Sequence, residues 1–152
     1  MRDLLISGAR LADGSSGDLG VSGERFVEPG DVRDAERIQA EGLLALPGLV
    51  DPHTHLREPG REDAETVATG TLAAARGGFT AVSAMANLDP VTDTAEAAEH
   101  LAALAARTGS TEVIVVGSVT KGLAGEQLSE ICLLYTSPSP RDRTRSRMPS
   151  SA

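Results

Sequence analysis

The chain has 152 residues and a formal net charge of −8, and 40% of its residues are apolar while only 2% are aromatic. These values are typical of a globular protein or part of one, and no apolar run approaches the roughly 20 residues of a membrane span. Since the chain has no basic excess and few aromatic side chains for base stacking, we expect neither nucleic acid nor a membrane as a partner. The single cysteine, Cys132, excludes an intrachain disulfide, and residues 1–10 lack the length of a signal peptide, so we expect a cytoplasmic protein.

Residues 1–46 predict the N-terminal part of a small β domain. Short β-prone segments alternate there with Gly, Ser, Asp and Pro, which favour turns. The predicted strands are residues 3–10, 18–22, 37–40 and 43–46. A small sheet is therefore expected before the rest of the chain.

Residues 47–131 show a different pattern, in which strands alternate with helices. A Pro-Gly turn precedes residues 49–55, which predict a strand that ends in polar groups. A helix is predicted over residues 64–76, where two glycines stop it, and residues 79–85 predict the next strand. The apolar residues at helical spacing in this helix are Ala64, Val67, Ala68, Leu72 and Ala75.

A second helix and a third strand follow in the same region. Asp93, with Glu96 three residues later, resembles a capping box for a helix that runs to about Arg107. Its apolar face consists of Leu101, Leu104 and Ala105. Residues 112–119 are rich in β-branched side chains, which predicts a strand buried on both sides in a parallel sheet. A further helix is predicted to begin near Gly125.

The alternation of strands and helices predicts an α/β fold with a parallel sheet. A (β/α)8 barrel and a doubly wound sheet both agree with this pattern, and periodicity alone does not choose between them. No G-x-G-x-x-G motif follows a predicted strand, which disfavours a dinucleotide-binding protein.

Two histidines at the end of the first of these strands point to a metal site. Residues two apart on a strand project to the same face, so His53 and His55 can direct both imidazoles at one point. Neutral imidazole is a zinc ligand, and zinc can activate water near neutral pH. An H-x-H pair also arises by chance, but its place at the end of a barrel-like strand is where (β/α)8 enzymes keep catalytic groups.

Four segments carry the resemblance to a known family. They read D-P-H-T-H-L-R-E-P-G at 51–60, G-R-E-D-A-E-T-V-A-T-G-T-L-A-A-A-R-G-G-F-T at 60–80, M-A-N-L-D-P-V-T-D-T at 85–94 and G-S-V-T-K-G-L-A-G-E-Q-L-S-E at 117–130. Residues 1–131 are thereby similar to the dihydroorotases of the amidohydrolase superfamily, in particular to their longer-chain bacterial class. The resemblance implies that residues 47–131 are the first three βα units of a (β/α)8 amidohydrolase barrel, preceded by part of a small β-sandwich domain.

The resemblance also implies a role for each residue that matches the family motif. The histidines of H-x-H bind zinc in the family, so His53 and His55 are the expected ligands of one or two zinc ions, with His55 also beside the substrate. Arg57 and Asn87 match the arginine and the asparagine that contact the substrate carboxylate, which a planar guanidinium can bind through two hydrogen bonds. The residues that flank Asn87 depart from the commoner P-N-T pattern.

Two of these residues also have a purely structural interpretation. Arg57 could pair with Glu58 or Glu62, and Asn87 could be a turn residue before Asp89. For Arg57 and Asn87 we favour the substrate contact that the resemblance implies.

Three further polar residues are interpreted as structural. Asp51 is expected to cap the strand end or to support it with a hydrogen bond. Lys121 follows the third strand, whereas relatives with a carboxylated, metal-bridging lysine carry it after the fourth, so a solvated lysine is expected. His100 is expected to be exposed on a helix.

The activity implied by the resemblance is the reversible hydrolysis of dihydroorotate to N-carbamoyl-aspartate, a step of pyrimidine synthesis. Zinc would activate the attacking water, and a carboxylate would move the proton. In the family, this carboxylate and the remaining zinc ligands come from later strands, so we expect no catalytic acid or base within the 152 residues. We also expect this chain to be inactive and poorly folded, because unpaired strand edges remain.

Two other functions stay open at this point. A hydantoinase, dihydropyrimidinase or allantoinase would share the H-x-H motif. A noncatalytic, dihydroorotase-like partner of aspartate transcarbamoylase is the second alternative, although such chains typically lose metal-binding histidines and this one keeps His53 and His55. The active enzyme could itself form a homo-oligomer or associate with the transcarbamoylase.

The last residues, 132–152, differ in composition from the rest of the chain. Residues 132–142 resemble an in-frame translation of the adaptor that transposase-based library preparation adds to DNA fragments. We therefore expect residues 132–152 to be a non-native tail that truncates the natural sequence. A natural disordered tail rich in Ser, Pro and Arg is the alternative.

Overall fold

A computed structural model describes residues 3–131 of the chain. The described residues divide into two compact units, with the boundary between Pro47 and Gly48. The tail for which a non-native origin is predicted, residues 132–152, lies outside the described residues. Within residues 3–131, no helix is long and apolar enough to cross a membrane.

The first unit contains one sheet of four short strands. They are β1 (Leu4–Arg10), β2 (Ser16–Ser22), β3 (Arg25–Val27) and β4 (Glu36–Gln39). Their order in the sheet is β3-β2-β1-β4, with β1 antiparallel to β2 and parallel to β4. The inner strand β1 contributes the buried side chains of Leu5 and Ala9 to the core of this unit, and Ala40, directly after β4, is buried as well.

Two features of this sheet differ from the sequence-based prediction. The predicted strand at residues 43–46 is wrong, because Leu44 makes only an isolated bridge to Arg10. Strand β3 was not predicted, since three residues are too few to show an alternation of apolar and polar side chains.

The second unit contains a parallel sheet of three strands and two helices. These are β5 (Leu49–Thr54), α1 (Val67–Arg76), β6 (Phe79–Ala84), α2 (Ala95–Thr108) and β7 (Glu112–Val115). The strand order is β5-β6-β7, and both pairs are parallel. The predicted α/β alternation with a parallel sheet is confirmed.

The core of the second unit lies between the central strand and the two helices. Its most deeply buried apolar side chains are Leu56, Val67, Val82, Ala84 and Leu101, each at most 1% exposed. Burying a leucine or valine side chain contributes about 1.5–3 kcal/mol relative to leaving it in water. The predicted apolar face of α2 is confirmed, since Leu101 and Ala105 are buried and Leu104 packs against them.

The buried face of α1 differs from the predicted one. Helix α1 begins at Val67, and its second fully buried residue is Thr71, whereas Leu72 is 42% exposed. A threonine fits there because its hydroxyl group donates a hydrogen bond to the carbonyl oxygen of Val67 at 2.6 Å and accepts one from the backbone N–H of Ser110 at 3.0 Å.

The predicted cap of α2 is displaced by one residue. Thr94, and not Asp93, is the N-cap, and its Oγ1 accepts a hydrogen bond from the backbone N–H of Ala97 at 3.2 Å. The carboxylate of Asp93 accepts instead from the backbone N–H of Gly122 at 2.8 Å. Asp93 thus connects the start of α2 to the segment after β7.

The segment after β7 does not follow the prediction. Strand β7 ends at Val115, and Ile114 is 46% exposed, so the prediction of a strand buried on both sides up to residue 119 is wrong. Among the described residues β7 pairs only with β6, which leaves its other edge open. The predicted helix near Gly125 is also wrong, because a single 3-10 turn at Lys121–Leu123 is followed by Gly125 with φ of +78°.

Candidate functional site

The two histidines lie at the carboxyl end of β5 with their rings in contact. Their ring centroids are 5.2 Å apart, and the ring planes are inclined by 69°. His53 is exposed and His55 is half-buried. The Asp51 carboxylate accepts a hydrogen bond from the backbone N–H of His53 at 3.0 Å, so it supports the strand end at which both imidazoles lie.

The structure brings Asn87 to the same place from the neighbouring strand. Asn87 follows β6, and its Oδ1 lies 2.8 Å from Nδ1 of His55, within hydrogen-bond distance. Its neighbours Ala86 and Leu88 are buried while Asn87 is exposed, which fixes the backbone and leaves the amide at the surface. The turn-residue interpretation of Asn87 does not account for this contact with His55.

Arg57 lies on the loop directly after the histidines. Its φ of 62° is in the left-handed region, which is uncommon for a residue with a side chain, and the residue is exposed. Among the described residues, no carboxylate pairs with its guanidinium group. Glu58 accepts from the backbone N–H of Val67 at 2.7 Å, and Glu62 accepts from that of Gly60 at 2.9 Å, so both proposed partners bind backbone groups.

The loop that carries Arg57 is held against the loop after β6. The backbone N–H of Asp89 donates to the carbonyl oxygen of Pro59 at 3.1 Å. Gly60 has φ of 107°, and a Cβ atom at this position would lie 2.5 Å from Cβ of Asp89. Only glycine fits such a close approach, so Gly60 is a structural residue of the site that the sequence analysis did not identify.

The electrostatics of this loop favour an ionised Glu62. The backbone N–H of Gly60 holds the pKa of the Glu62 carboxyl group below its ordinary value of 4.5. A carboxylate that accepts backbone hydrogen bonds is stabilised in its charged form.

Two other candidates have the surroundings that the sequence analysis predicted for them. His100 is exposed on α2, and Lys121 is exposed in the 3-10 turn after β7. Neither contacts His53 or His55 through a hydrogen bond or ring contact within the part of the chain that the structure describes.

The two imidazoles are of a donor type that suits a zinc ion. They offer nitrogen donors from one strand end, and imidazole nitrogen is a preferred zinc ligand. Within residues 3–131, no group of three or more His, Cys, Asp or Glu side chains is placed to hold a metal ion. Two imidazoles are fewer than the about three or four protein ligands of a zinc site.

The fold is similar to that of a solved enzyme structure. The structure resembles that of the L-hydantoinase (dihydropyrimidinase) of Arthrobacter aurescens with a TM-score of 0.65 and 23% sequence identity, over 79% of this chain and 28% of the other. The chain thus has a mixed α/β fold of the kind found in that enzyme.

Sequence comparison defines the family. The model of the dihydro-orotase-like family matches residues 42–139, and the chain belongs to this family. It is 55% identical over 130 residues to a dihydroorotase of Leifsonia xyli, with 84% of this chain and 30% of the relative covered. It is 46% identical over 140 residues to a dihydroorotase of Streptomyces coelicolor, with 90% of this chain and 33% of the relative covered.

The chain spans about a third of the length of the curated relatives that it matches. The family model matches up to residue 139 and so includes part of residues 132–152, for which we predict a non-native origin. The non-native origin of these residues stays a prediction.

Proposed function

We propose that this chain is the N-terminal part of a zinc-dependent dihydroorotase, which reversibly hydrolyses dihydroorotate to N-carbamoyl-aspartate in pyrimidine synthesis. The observation that supports this most strongly is the contact between His55 and Asn87 at 2.8 Å, beside the ring pair of His53 and His55, in a chain of the dihydro-orotase-like family. The carboxyl end of a parallel sheet is also where α/β enzymes place their active sites.

In this proposal the imidazoles of His53 and His55 hold zinc. When bound, zinc lowers the pKa of a coordinated water and polarises a carbonyl group. The exposed position of His53 leaves room for ligands from other segments and for a substrate. The carboxylate that moves the proton, like the remaining zinc ligands, belongs to the longer protein.

Arg57 and Asn87 bind the substrate carboxylate in this proposal. The Arg57 guanidinium is exposed and has no carboxylate partner among residues 3–131, so it is available to an anionic ligand. A guanidinium binds a carboxylate through two parallel hydrogen bonds, which fixes the orientation of the ring that carries it. The loop after β5, which carries Arg57, approaches the loop after β6, which carries Asn87, closely at Gly60, and this supports a joint role for the two residues.

The proposed architecture is that of a small β domain over residues 1–46 and the first three βα units of a (β/α)8 barrel over residues 47–131. The parallel order β5-β6-β7 with an intervening helix at each crossover supports the barrel. We further propose a cytoplasmic enzyme with a small-molecule substrate, which could form a homo-oligomer or associate with aspartate transcarbamoylase.

The decisive experiment uses the product of the uninterrupted open reading frame that contains residues 1–131, here called the intact enzyme. We expect it to retain zinc and to hydrolyse dihydroorotate in preference to hydantoin, dihydrouracil and allantoin. His53→Ala and His55→Ala should each lose zinc and activity. His100→Ala is the matched control, since it removes an exposed histidine and should change neither quantity.

Three outcomes would overturn the proposal. Preferential turnover of hydantoin, dihydrouracil or allantoin would assign a different cyclic amidohydrolase. Zinc retention that is unchanged when both His53 and His55 are replaced would remove the proposed metal site. An intact protein without bound metal or activity would favour the noncatalytic partner of aspartate transcarbamoylase.

A further inference from the structure

The contact between Asn87 and His55 constrains which nitrogen of the imidazole carries the proton. Oδ1 of Asn87 is 2.8 Å from Nδ1 of His55, and an amide oxygen can only accept a hydrogen bond. Nδ1 must therefore be the donor when His55 is neutral. The proton on Nδ1 leaves Nε2 with a free lone pair.

The backbone on both sides of this contact is fixed by other hydrogen bonds. The backbone N–H groups of Leu88 and Thr92 both donate to the carbonyl oxygen of Ala86, at 2.9 and 3.0 Å. On the other strand, the carbonyl oxygen of Thr54 accepts from the backbone N–H of Met85 at 3.0 Å. The amide of Asn87 and the ring of His55 are thus presented to each other by a hydrogen-bonded backbone.

We propose that the amide oxygen of Asn87 is a positioning group that holds His55 in the Nδ1–H tautomer and thereby directs Nε2 to the metal. This inference rests on the proposed function, since it concerns the same metal site. It gives the two ends of one amide different tasks: Oδ1 orients the metal ligand, and Nδ2 stays available to donate to the substrate carboxylate. Metal-ligating histidines commonly donate their second ring N–H to an oxygen that fixes the tautomer.

Two substitutions at this position separate the two tasks. Asn87→Asp keeps an oxygen that accepts from Nδ1 but cannot donate to a carboxylate. Asn87→Leu has a similar size and can neither accept nor donate. If Oδ1 positions His55, only the leucine variant disturbs the metal site, whereas both variants disturb substrate binding.

Zinc affinity and KM are the first pair of measurements on the intact enzyme. In competition with a chelator, Asn87→Leu should lose about 10–100-fold in zinc affinity, which is the usual effect of removing such a supporting hydrogen bond. Asn87→Asp should bind zinc at least as tightly as the wild type, because it retains the acceptor and adds negative charge. With zinc in excess, both variants should show a raised KM for dihydroorotate.

The tautomer itself can be measured without metal or activity. In the metal-free intact enzyme with ¹⁵N-labelled histidine, at a pH at which the imidazole is neutral, His55 should show a protonated Nδ1 and an unprotonated Nε2. The signal is assigned by its absence in His55→Gln. Asn87→Leu should shift His55 toward the Nε2–H tautomer, and Asn87→Asp should not.

The inference and the proposed function fail through different results. If Asn87→Leu binds zinc as tightly as the wild type, or if wild-type His55 carries its proton on Nε2, the positioning role is wrong although the enzyme can still be a dihydroorotase. If the wild type neither binds zinc nor hydrolyses dihydroorotate, the proposed function is wrong. In that case the Nδ1–H tautomer of His55 does not serve to direct Nε2 to a metal.

Discussion

Strands β5 and β6 lie side by side in one parallel sheet, but their side chains have different surroundings. In β6 the residues from Ala81 to Ala84 are all buried, with Val82 only 1% exposed. In β5, Leu49 and Val50 are 47% and 57% exposed, and His53 is exposed as well. Among the described residues, the buried apolar side chains of the second unit are therefore concentrated around β6, while His53 lies at the exposed end of β5 and His55 directly follows that strand.

This difference means that stability and chemistry can be changed separately. A histidine at an exposed strand end has few packing contacts to lose, so its replacement affects ligands more than folding. Replacing a side chain in the cluster around β6 should affect folding more than ligand binding.

Leu101→Ala should give the largest loss. Leu101 is 1% exposed and packs in the cluster that contains Val82 and Ala84, so its truncation leaves a cavity and should lower the free energy of unfolding by about 2–5 kcal/mol. Urea denaturation of the metal-free intact enzyme measures this. The matched change on β5, His53→Ala, should stay within about 0.5 kcal/mol of the wild type. Equal losses of unfolding free energy in Leu101→Ala and His53→Ala would show that stability and metal binding cannot be changed separately.

Gly60→Ala should have an intermediate effect that reaches the site. The added Cβ would lie 2.5 Å from Cβ of Asp89 at a φ of 107°, so the loop must shift at a cost of about 1–3 kcal/mol. Because the same loop carries Arg57, we expect a raised KM for dihydroorotate with little change in zinc content. Gly14→Ala is the control for a glycine with positive φ in open space, and its KM should not change. An unchanged KM in Gly60→Ala would show that the loop contact does not position Arg57.

Thr94→Ala should remove the observed cap of α2 and cost about 0.5–2 kcal/mol. Thr94→Ser retains an oxygen that can accept from the backbone N–H of Ala97 and should lose much less. Thermal unfolding of both variants measures the difference. Equal destabilisation by serine and alanine would mean that the hydroxyl group does not cap the helix.

The sequence predicts those parts of the second unit that depend on local patterns. The alternation of strands and helices and the apolar face at Leu101 follow from periodicity within one element, and the structure confirms both. The predicted N-cap of α2 was one residue too early because Asp93 and Thr94 are both good capping residues. Which of the two caps the helix depends on Gly122, whose backbone N–H donates a hydrogen bond to the carboxylate of Asp93.

Other features depend on partners far away in the sequence and could not be predicted from it. Thr71 is buried on α1 because Ser110 supplies a hydrogen bond, which a pattern of apolar residues does not reveal. The candidate residues His55 and Asn87 were each identified from the family motif, but their direct contact was not predicted. It arises from the pairing of β5 with β6, in which Thr54 lies opposite Ala84.

Glu62→Gln should have the smallest effect, and it depends on pH. The hydrogen bond from the backbone N–H of Gly60 lowers the pKa of Glu62 in the folded protein below 4.5, its ordinary value and the value expected in the unfolded chain. A group with a lowered folded pKa contributes stability above its unfolded pKa, and this contribution is lost as the pH falls through the folded value. The glutamine variant keeps an oxygen that accepts from Gly60 but does not titrate.

The difference in unfolding free energy between the wild type and Glu62→Gln should thus stay constant from neutral pH to about 5 and shift against the wild type below 4.5. Because Glu62 is fully exposed, water screens the interaction and the shift should be small. A difference that does not vary with pH across this window would mean that Gly60 does not hold the carboxylate, and that the loop carrying Arg57 is supported by its contact with Asp89 alone.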